Sequence, residues 1–225
     1  MKHCVVLTGA GISADSGLKT FRDAGGLWEG YRVEDVATPE GFQRNPQLVI
    51  DFYNERRQQL KTAQPNAAHL ALAQLEKYYQ TDIITQNVDN LHERAGSLRV
   101  LHLHGQLTQL RSTRDASYII DFEDNQTIDM CDPNGYPMRP HIVWFGEEVP
   151  ALQDAIEITR QADILIIIGT SLKVYPAAGL MHFAPSTAEV YLIDPNPVAL
   201  PNVHVISERA AVGVPQVVEQ LIQAA

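Results

Sequence analysis

The 225-residue sequence predicts an α/β protein, a doubly wound parallel sheet carrying a small inserted second domain. Three observations predict it. Short β-branched runs recur along the chain, most of them end in small, polar or glycine residues, and the stretches between them are long enough for helices. The runs are His3 to Leu7, Asp82 to Thr85, Val100 to Leu103, Asp163 to Ile168, Glu189 to Ile193 and Val203 to Ile206. Strands this continuously apolar are buried on both faces, between two layers of helices. Such a Rossmann-type sheet places its ligands at the carboxyl ends of the strands.

Two intervals are too long for simple crossovers. The first two runs are separated by about 70 residues, with helices expected over 46–61 and 67–79. A second excursion runs from His104 to Phe145, with turn chemistry at Asp132-Pro133-Asn134-Gly135 and a hydrophobic segment over 118–122. The single region 1–225 is therefore read as a large domain of approximately 1–30, 80–105 and 143–225, with a small domain from approximately 31–79 and 106–142.

Composition is that of a globular protein, 45% hydrophobic and 20% charged. The opening apolar run reaches Thr8-Gly9 too soon for a signal peptide, and no run approaches the roughly 18 residues of a membrane span. A soluble, cytoplasmic protein with no membrane partner is expected. The formal charge of −10 argues against nucleic acid and leaves a basic peptide as an acceptable substrate. Cys4 and Cys131 alone form no metal or redox motif.

The first run ends in Gly9-Ala10-Gly11-Ile12-Ser13-Ala14, whose glycines allow backbone N–H groups to approach a pyrophosphate. Asp35 does not end a second strand, so the acidic ribose ligand of a dehydrogenase is missing. More specific clusters follow: Ser16-Gly17-Leu18-Lys19-Thr20-Phe21-Arg22, Thr85-Gln86-Asn87-Val88-Asp89-Asn90-Leu91-His92, Leu103-His104-Gly105 and Gly169-Thr170-Ser171. Singly, Asn87 and Asp89 are also good helix caps and Ser171 a good turn residue. Together they lie at or beyond strand ends and converge on one cleft.

These motifs, over nearly the full length, resemble those of the sirtuins, NAD-dependent protein deacylases. The resemblance implies that NAD is consumed as a co-substrate. It places Gly9, Ala10, Gly11, Phe21 and Arg22 around phosphates and ribose, Gln86, Asn87 and Asp89 at the nicotinamide pocket, and Gly169, Thr170 and Ser171 beneath the adenosine half. Asp194 and Asn196 match more loosely the family's adenine-ribose position. Asn87, Asp89 and His104 are the implied catalytic residues. In the family mechanism nicotinamide leaves, the acyl oxygen attacks the sugar carbon, and a histidine at the position of His104 deprotonates a ribose hydroxyl that attacks the intermediate. A pKa near neutrality suits that general base.

On the helix expected over 46–61, Leu48, Val49, Phe52, Tyr53, Arg56 and Leu60 fall within an arc of about 140°. A guanidinium on this apolar face needs an anionic partner. One reading is an internal ion pair. The other is that Tyr53 and Arg56 grip the free carboxylate of a succinyl- or malonyl-lysine, since sirtuins preferring acidic acyl groups carry Tyr-x-x-Arg here. Ala37 matches their small pocket-widening residue, and deacetylation accompanies the preference. The stretch from Pro140 to Glu147 resembles the family's substrate-binding strand, with Val143, Phe145 and Gly146 meeting acyl-lysine peptides by strand addition.

Most sirtuins hold the small domain with zinc on two Cys-x-x-Cys pairs. Between Arg111 and Arg139 this chain has only Cys131 and no histidine, with Ser112 or Thr113 near one ligand position. Zinc is not expected, and packing around Tyr118, Ile119, Ile120 and Phe122 is expected to replace it. Two alternatives to deacylation stay open: ADP-ribosyl transfer or NAD hydrolysis in the same cleft, and a non-catalytic NAD or ADP-ribose sensor.

Overall fold

The computed structural model describes residues 1–19, 27–170, 177–198 and 201–225. In chain order the strands are β1 (His3–Thr8), β2 (Leu27–Trp28), β3 (Tyr31–Arg32), β4 (Gln80–Thr85), β5 (Val100–His102), β6 (Gly105–Ser112), β7 (Ile119–Asp121), β8 (Met138–Ile142), β9 (Ile164–Ile168), β10 (Glu189–Ile193) and β11 (His204–Ile206). The helices are α1 (Val33–Val36), α2 (Pro39–Arg44), α3 (Pro46–Thr62), α4 (Ala67–Leu75), α5 (Leu91–Arg94), α6 (Leu152–Thr159) and α7 (Ala210–Gln223). The six expected runs are β1, β4, β5, β9, β10 and β11. They form one parallel sheet in the order β11-β10-β9-β1-β4-β5.

The pleat divides the core between the two faces of the sheet. Val6, Ile83 and Ile166 pack on one face against Leu72 and Leu75 of α4 and Val214 and Val217 of α7. Val5, Leu7, Leu165 and Ile167 pack on the other with Ala155 of α6 and Leu180. Within the range 31–79 expected for the small domain, α4 buries its apolar face on the sheet. The chain returns to the large layer after α3.

Helix starts follow their caps. Asn45 accepts from the Leu48 N–H at 3.1 Å, and Pro46 opens α3. Asn66 accepts from Ala68 while its own N–H reaches His69 Nδ1, closing a capping box. The second helix stops at Leu75, short of the expected 79, as the chain turns into β4.

The second excursion is an antiparallel sheet in the order β7-β6-β8. The expected hydrophobic segment is β7. Its larger neighbours β6 and β8 carry no long apolar run, and a register shift between Gly105 and Leu110 interrupts β6. Polar ties hold this module. Ser112 Oγ–H donates to Asp132 at 2.7 Å, Asp132 also accepts from the N–H groups of Asn134 and Tyr136, and Gln126 Nε2 donates to the Met138 carbonyl. The expected packing around 118–122 is modest: Ile119 is exposed, while Phe122 meets the Arg57 guanidinium at 5.7 Å.

Candidate active site

The carboxyl ends of β1, β4 and β9 open on one cavity of about 330 Å³, within the range of small-molecule sites. After β1 the chain makes a short 3-10 turn, Ala10–Ser16. The N–H groups of Gly9 and Gly11 donate to the carbonyls of Ile168 and Gly169, each at 2.9 Å. A Cβ on Gly9 would lie 2.8 Å from the Gly169 oxygen, and one on Gly11 would lie 2.6 Å from its Cα. These two glycines therefore permit the close approach of the β1 and β9 turns. Their own N–H groups are engaged inside the protein, as the tight-turn reading of these glycines requires.

Beyond β4, Gln86 Nε2 donates to Thr170 Oγ1 at 3.2 Å, joining two strand ends. Asn87 and Asp89 are buried and share Ser13: Asn87 Nδ2 donates to Ser13 Oγ at 3.3 Å, and Ser13 O–H donates to Asp89 at 3.0 Å. Burial raises the Asp89 pKa, while the Leu91 N–H and Ser13 hydrogen bonds oppose that shift. Gly9, Ala10, Gly11, Gly169 and Thr170 line the cavity beside Gln86, Asn87, Asp89 and His104. A glycine-lined wall beside amide, carboxyl and imidazole groups suits a polar ligand.

His104 Nδ1 lies 3.0 Å from the Gln86 carbonyl. A carbonyl only accepts, so Nδ1 carries the proton and Nε2 keeps its lone pair. Burial lowers the His104 pKa against that hydrogen bond, leaving the ring neutral at pH 7. Gly105 follows because a Cβ there would lie 2.0 Å from the His141 oxygen, at φ +77°.

The cavity continues over Ala37, Tyr53, Arg56, Leu60 and Trp144. Trp144 Nε1–H donates to the Tyr53 oxygen at 2.9 Å. The phenol therefore accepts from tryptophan and has its own proton to give, and burial pushes its pKa well above the ordinary tyrosine value. Trp144 is held in turn by Arg139, stacked 3.3 Å from its ring centroid, and by Glu147, which accepts its backbone N–H at 2.8 Å.

Arg56 is 8% exposed and lies over the Phe52 ring. Its nearest acidic oxygens are loose, Glu55 at 3.5 Å and Glu29 at 3.7 Å, and Nε has no partner among the described residues. Desolvation lowers its pKa, and Glu29 and Glu55 oppose that shift. The internal ion pair expected for Arg56 thus exists in part, with donor capacity to spare. Val143, Phe145 and Gly146 line the same cavity in the turn after β8, where Val143 N–H donates to the His104 carbonyl and Phe145 N–H to that of Ala37.

The Sir2 family model matches residues 9–176. The chain belongs to the Sir2 family. An Aggregatibacter actinomycetemcomitans protein named NAD-dependent protein deacylase is 59% identical over 194 residues, 86% of this chain and 93% of its own. A Bacteroides thetaiotaomicron protein of the same name is 54% identical over the whole of both chains. A solved complex of a Sir2 homologue with NAD superposes with a TM-score of 0.89 at 39% identity, covering 99% of this chain and 90% of that one. The family's fold is therefore this chain's fold, a parallel sheet with a small antiparallel module.

Not every residue expected in this Sir2 cleft is among those that line the cavity. Phe21, Arg22 and Ser171 lie outside the described residues. Asp194 and Asn196 sit beyond β10, where Asp194 accepts from the Asn196 N–H at 2.9 Å, and neither lines the cavity. Trp144, Glu29 and Ser13 join the site without having been singled out. A buried tryptophan needs a partner for its N–H, and that is the signal in the sequence that points to Trp144.

Proposed function

We propose that the chain is an NAD-dependent protein lysine deacylase whose acyl pocket favours groups ending in a carboxylate, succinyl and malonyl, with acetyl removed as well. The observation that carries the preference is the donor pair at the acyl end. Trp144 donates to the Tyr53 oxygen, which leaves the phenol its own proton to give, and the buried Arg56 Nε–H has no partner among the described residues. Two donors, one of them cationic, suit a planar anion.

Bound NAD supplies an electrophilic sugar carbon as nicotinamide leaves. Asn87 and Asp89, fixed through Ser13, hold and orient that half of the co-substrate. His104 Nε2 takes the proton of a ribose hydroxyl while Gln86 keeps Nδ1 protonated. Holding the acyl oxygen beside the sugar carbon contributes by proximity. One water is consumed in releasing the lysine, and the products are the free lysine, nicotinamide and O-acyl-ADP-ribose. The peptide docks along Val143 to Gly146, a segment that lines the cavity and whose Val143 and Phe145 N–H groups are held by His104 and Ala37. The same reading has a cytoplasmic protein with acyl-lysine proteins or peptides as partners. Its net charge of −10 speaks against nucleic acid, and among the described residues no helix is long and apolar enough to cross a membrane.

Turnover of acetyl-, malonyl- and succinyl-peptides by wild type and Arg56→Met tests the preference. Losing a charge-assisted bond of about 1.5–3 kcal/mol predicts a roughly 10- to 150-fold fall in kcat/KM for succinyl, with acetyl turnover retained. Equal loss of both activities would sink the carboxylate reading. Mass spectrometry of the products separates O-acyl-ADP-ribose from modified protein (transfer), free ADP-ribose (hydrolysis) or no product (a sensor). The module is proposed to be zinc-free, as Cys131 is exposed and no three metal-ligating side chains gather among the described residues. Stoichiometric zinc in the purified protein would overturn this.

A further inference from the structure

Two consecutive carbonyls of the loop after β4 are each held by an imidazole from the end of β5. Gln86 accepts from His104, and Asn87 accepts from His102 Nδ1 at 3.0 Å. The two rings differ in what lies on their far side. His104 Nε2 opens on the cavity, whereas His102 Nε2 lies 2.7 Å from Glu93 Oε1. A carbonyl and a carboxylate only accept, so both His102 nitrogens must carry protons, and the ring is an imidazolium. Its side chain is 6% exposed, whereas that of Glu93 is 38% exposed, so a buried ring meets a carboxylate at the surface.

We propose that His102 is a positioning residue of this reaction: with Glu93 it clamps the Asn87 carbonyl as an imidazolium, and its deprotonation sets the alkaline edge of activity. The Asn87 amide on the other side of that peptide group lines the nicotinamide end of the cleft. Its backbone is tied from both directions, by His102 at the carbonyl and by Thr85 Oγ1, which accepts the Asn87 N–H at 3.0 Å. A neutral ring has one donor for two acceptors. Keeping Asn87 would then turn a lone pair toward Glu93, and keeping Glu93 would release the loop.

The charged and titratable groups around His102 agree with this assignment. Burial works against its charge, but the hydrogen bond and charge of Glu93, the Asn87 carbonyl and the charge of Asp89 outweigh it and raise the pKa. On the other elements packed around it, His141 of β8 and His92 of α5 are both pushed down, first by burial, with the His102 charge adding to the shift. Neither competes for the proton. The acid edge belongs to a different ring, His104, whose neutral form is the base.

The test is the pH profile of kcat/KM for NAD with one acyl-peptide, in wild type and Glu93→Gln, alongside the imidazole ¹⁵N shifts of His102. Removing an adjacent opposite charge lowers a histidine pKa by about 1–3 units, so the alkaline edge should move that far toward lower pH while the acid edge stays. In His102→Gln, which keeps a donor and cannot titrate, the alkaline edge should disappear at reduced turnover. The ¹⁵N shifts of the wild type should show a doubly protonated ring at pH 7 that titrates with the alkaline edge. A ring neutral at pH 7, or an alkaline edge that Glu93→Gln leaves in place, would overturn the proposal. The ring titration is read without substrate, so it stands or falls separately from the acyl preference.

Discussion

The two ends of the cleft are built from opposite materials. At the nicotinamide end the side chains mostly act inward: His102 and His104 hold carbonyls, Ser13 joins Asn87 to Asp89, and Gln86 reaches Thr170. At the acyl end Phe52, Tyr53, Trp144, Arg56 and Arg139 form an aromatic and cationic lattice in which Trp144 and Arg139 donate inward, while the Tyr53 hydroxyl keeps a proton to give and Arg56 Nε has no partner among the described residues. Under the proposed function the first arrangement serves the reaction common to every substrate, and the donors left at Tyr53 and Arg56 select among substrates. On that proposal reaction and selection occupy different residues and should separate under mutation.

The largest effect that tests this separation is at His104. His104→Ala removes the base and should lower kcat for every acyl-peptide alike, by about 10²–10⁴-fold, the usual contribution of a general base. A succinyl-to-acetyl ratio that changed with it would break the division between the two ends. The pH dependence has a definite sign. Burial depresses the His104 pKa, so the active neutral ring persists below the ordinary histidine range, and activity falls only as pH drops through the lowered value. A rate-against-pH series on wild type checks this, with an acid edge above the ordinary histidine pKa as the contrary result.

The parts legible in the sequence share one property: their signal is local. Each parallel strand is a run of β-branched residues set between helix layers, so β1, β9 and β10 could be placed within a residue or so. The apolar arc on α3 puts Tyr53 and Arg56 on one face, and both are buried. The parts that were not legible depend on partners distant in sequence. β8 reads Met138-Arg139-Pro140-His141-Ile142, which pairs with β6 because Arg139 finds Glu147 and Gln126 reaches the Met138 carbonyl. The glycines of the β1 turn are readable as required, for tight-turn packing or for a pyrophosphate, and the sequence alone does not choose between them. Only the approach of Gly169 shows that they make room for another backbone.

The smallest predicted effect is at Trp144, and it probes the acyl end most finely. Trp144→Phe keeps a ring for Arg139 to stack on and deletes the Nε1–H that occupies the Tyr53 oxygen. The phenol then has both an acceptor and a donor to offer, and its proton is no longer directed at the substrate by default. One net hydrogen bond of about 0.5–1.5 kcal/mol is at stake, so kcat/KM for a succinyl-peptide should fall roughly two- to tenfold while acetyl turnover stays level. Parallel assays with the two peptides read the ratio directly. Equal losses on both would mean that Trp144 merely supports the fold of the pocket, and that the direction of the Tyr53 proton does not contribute to selection.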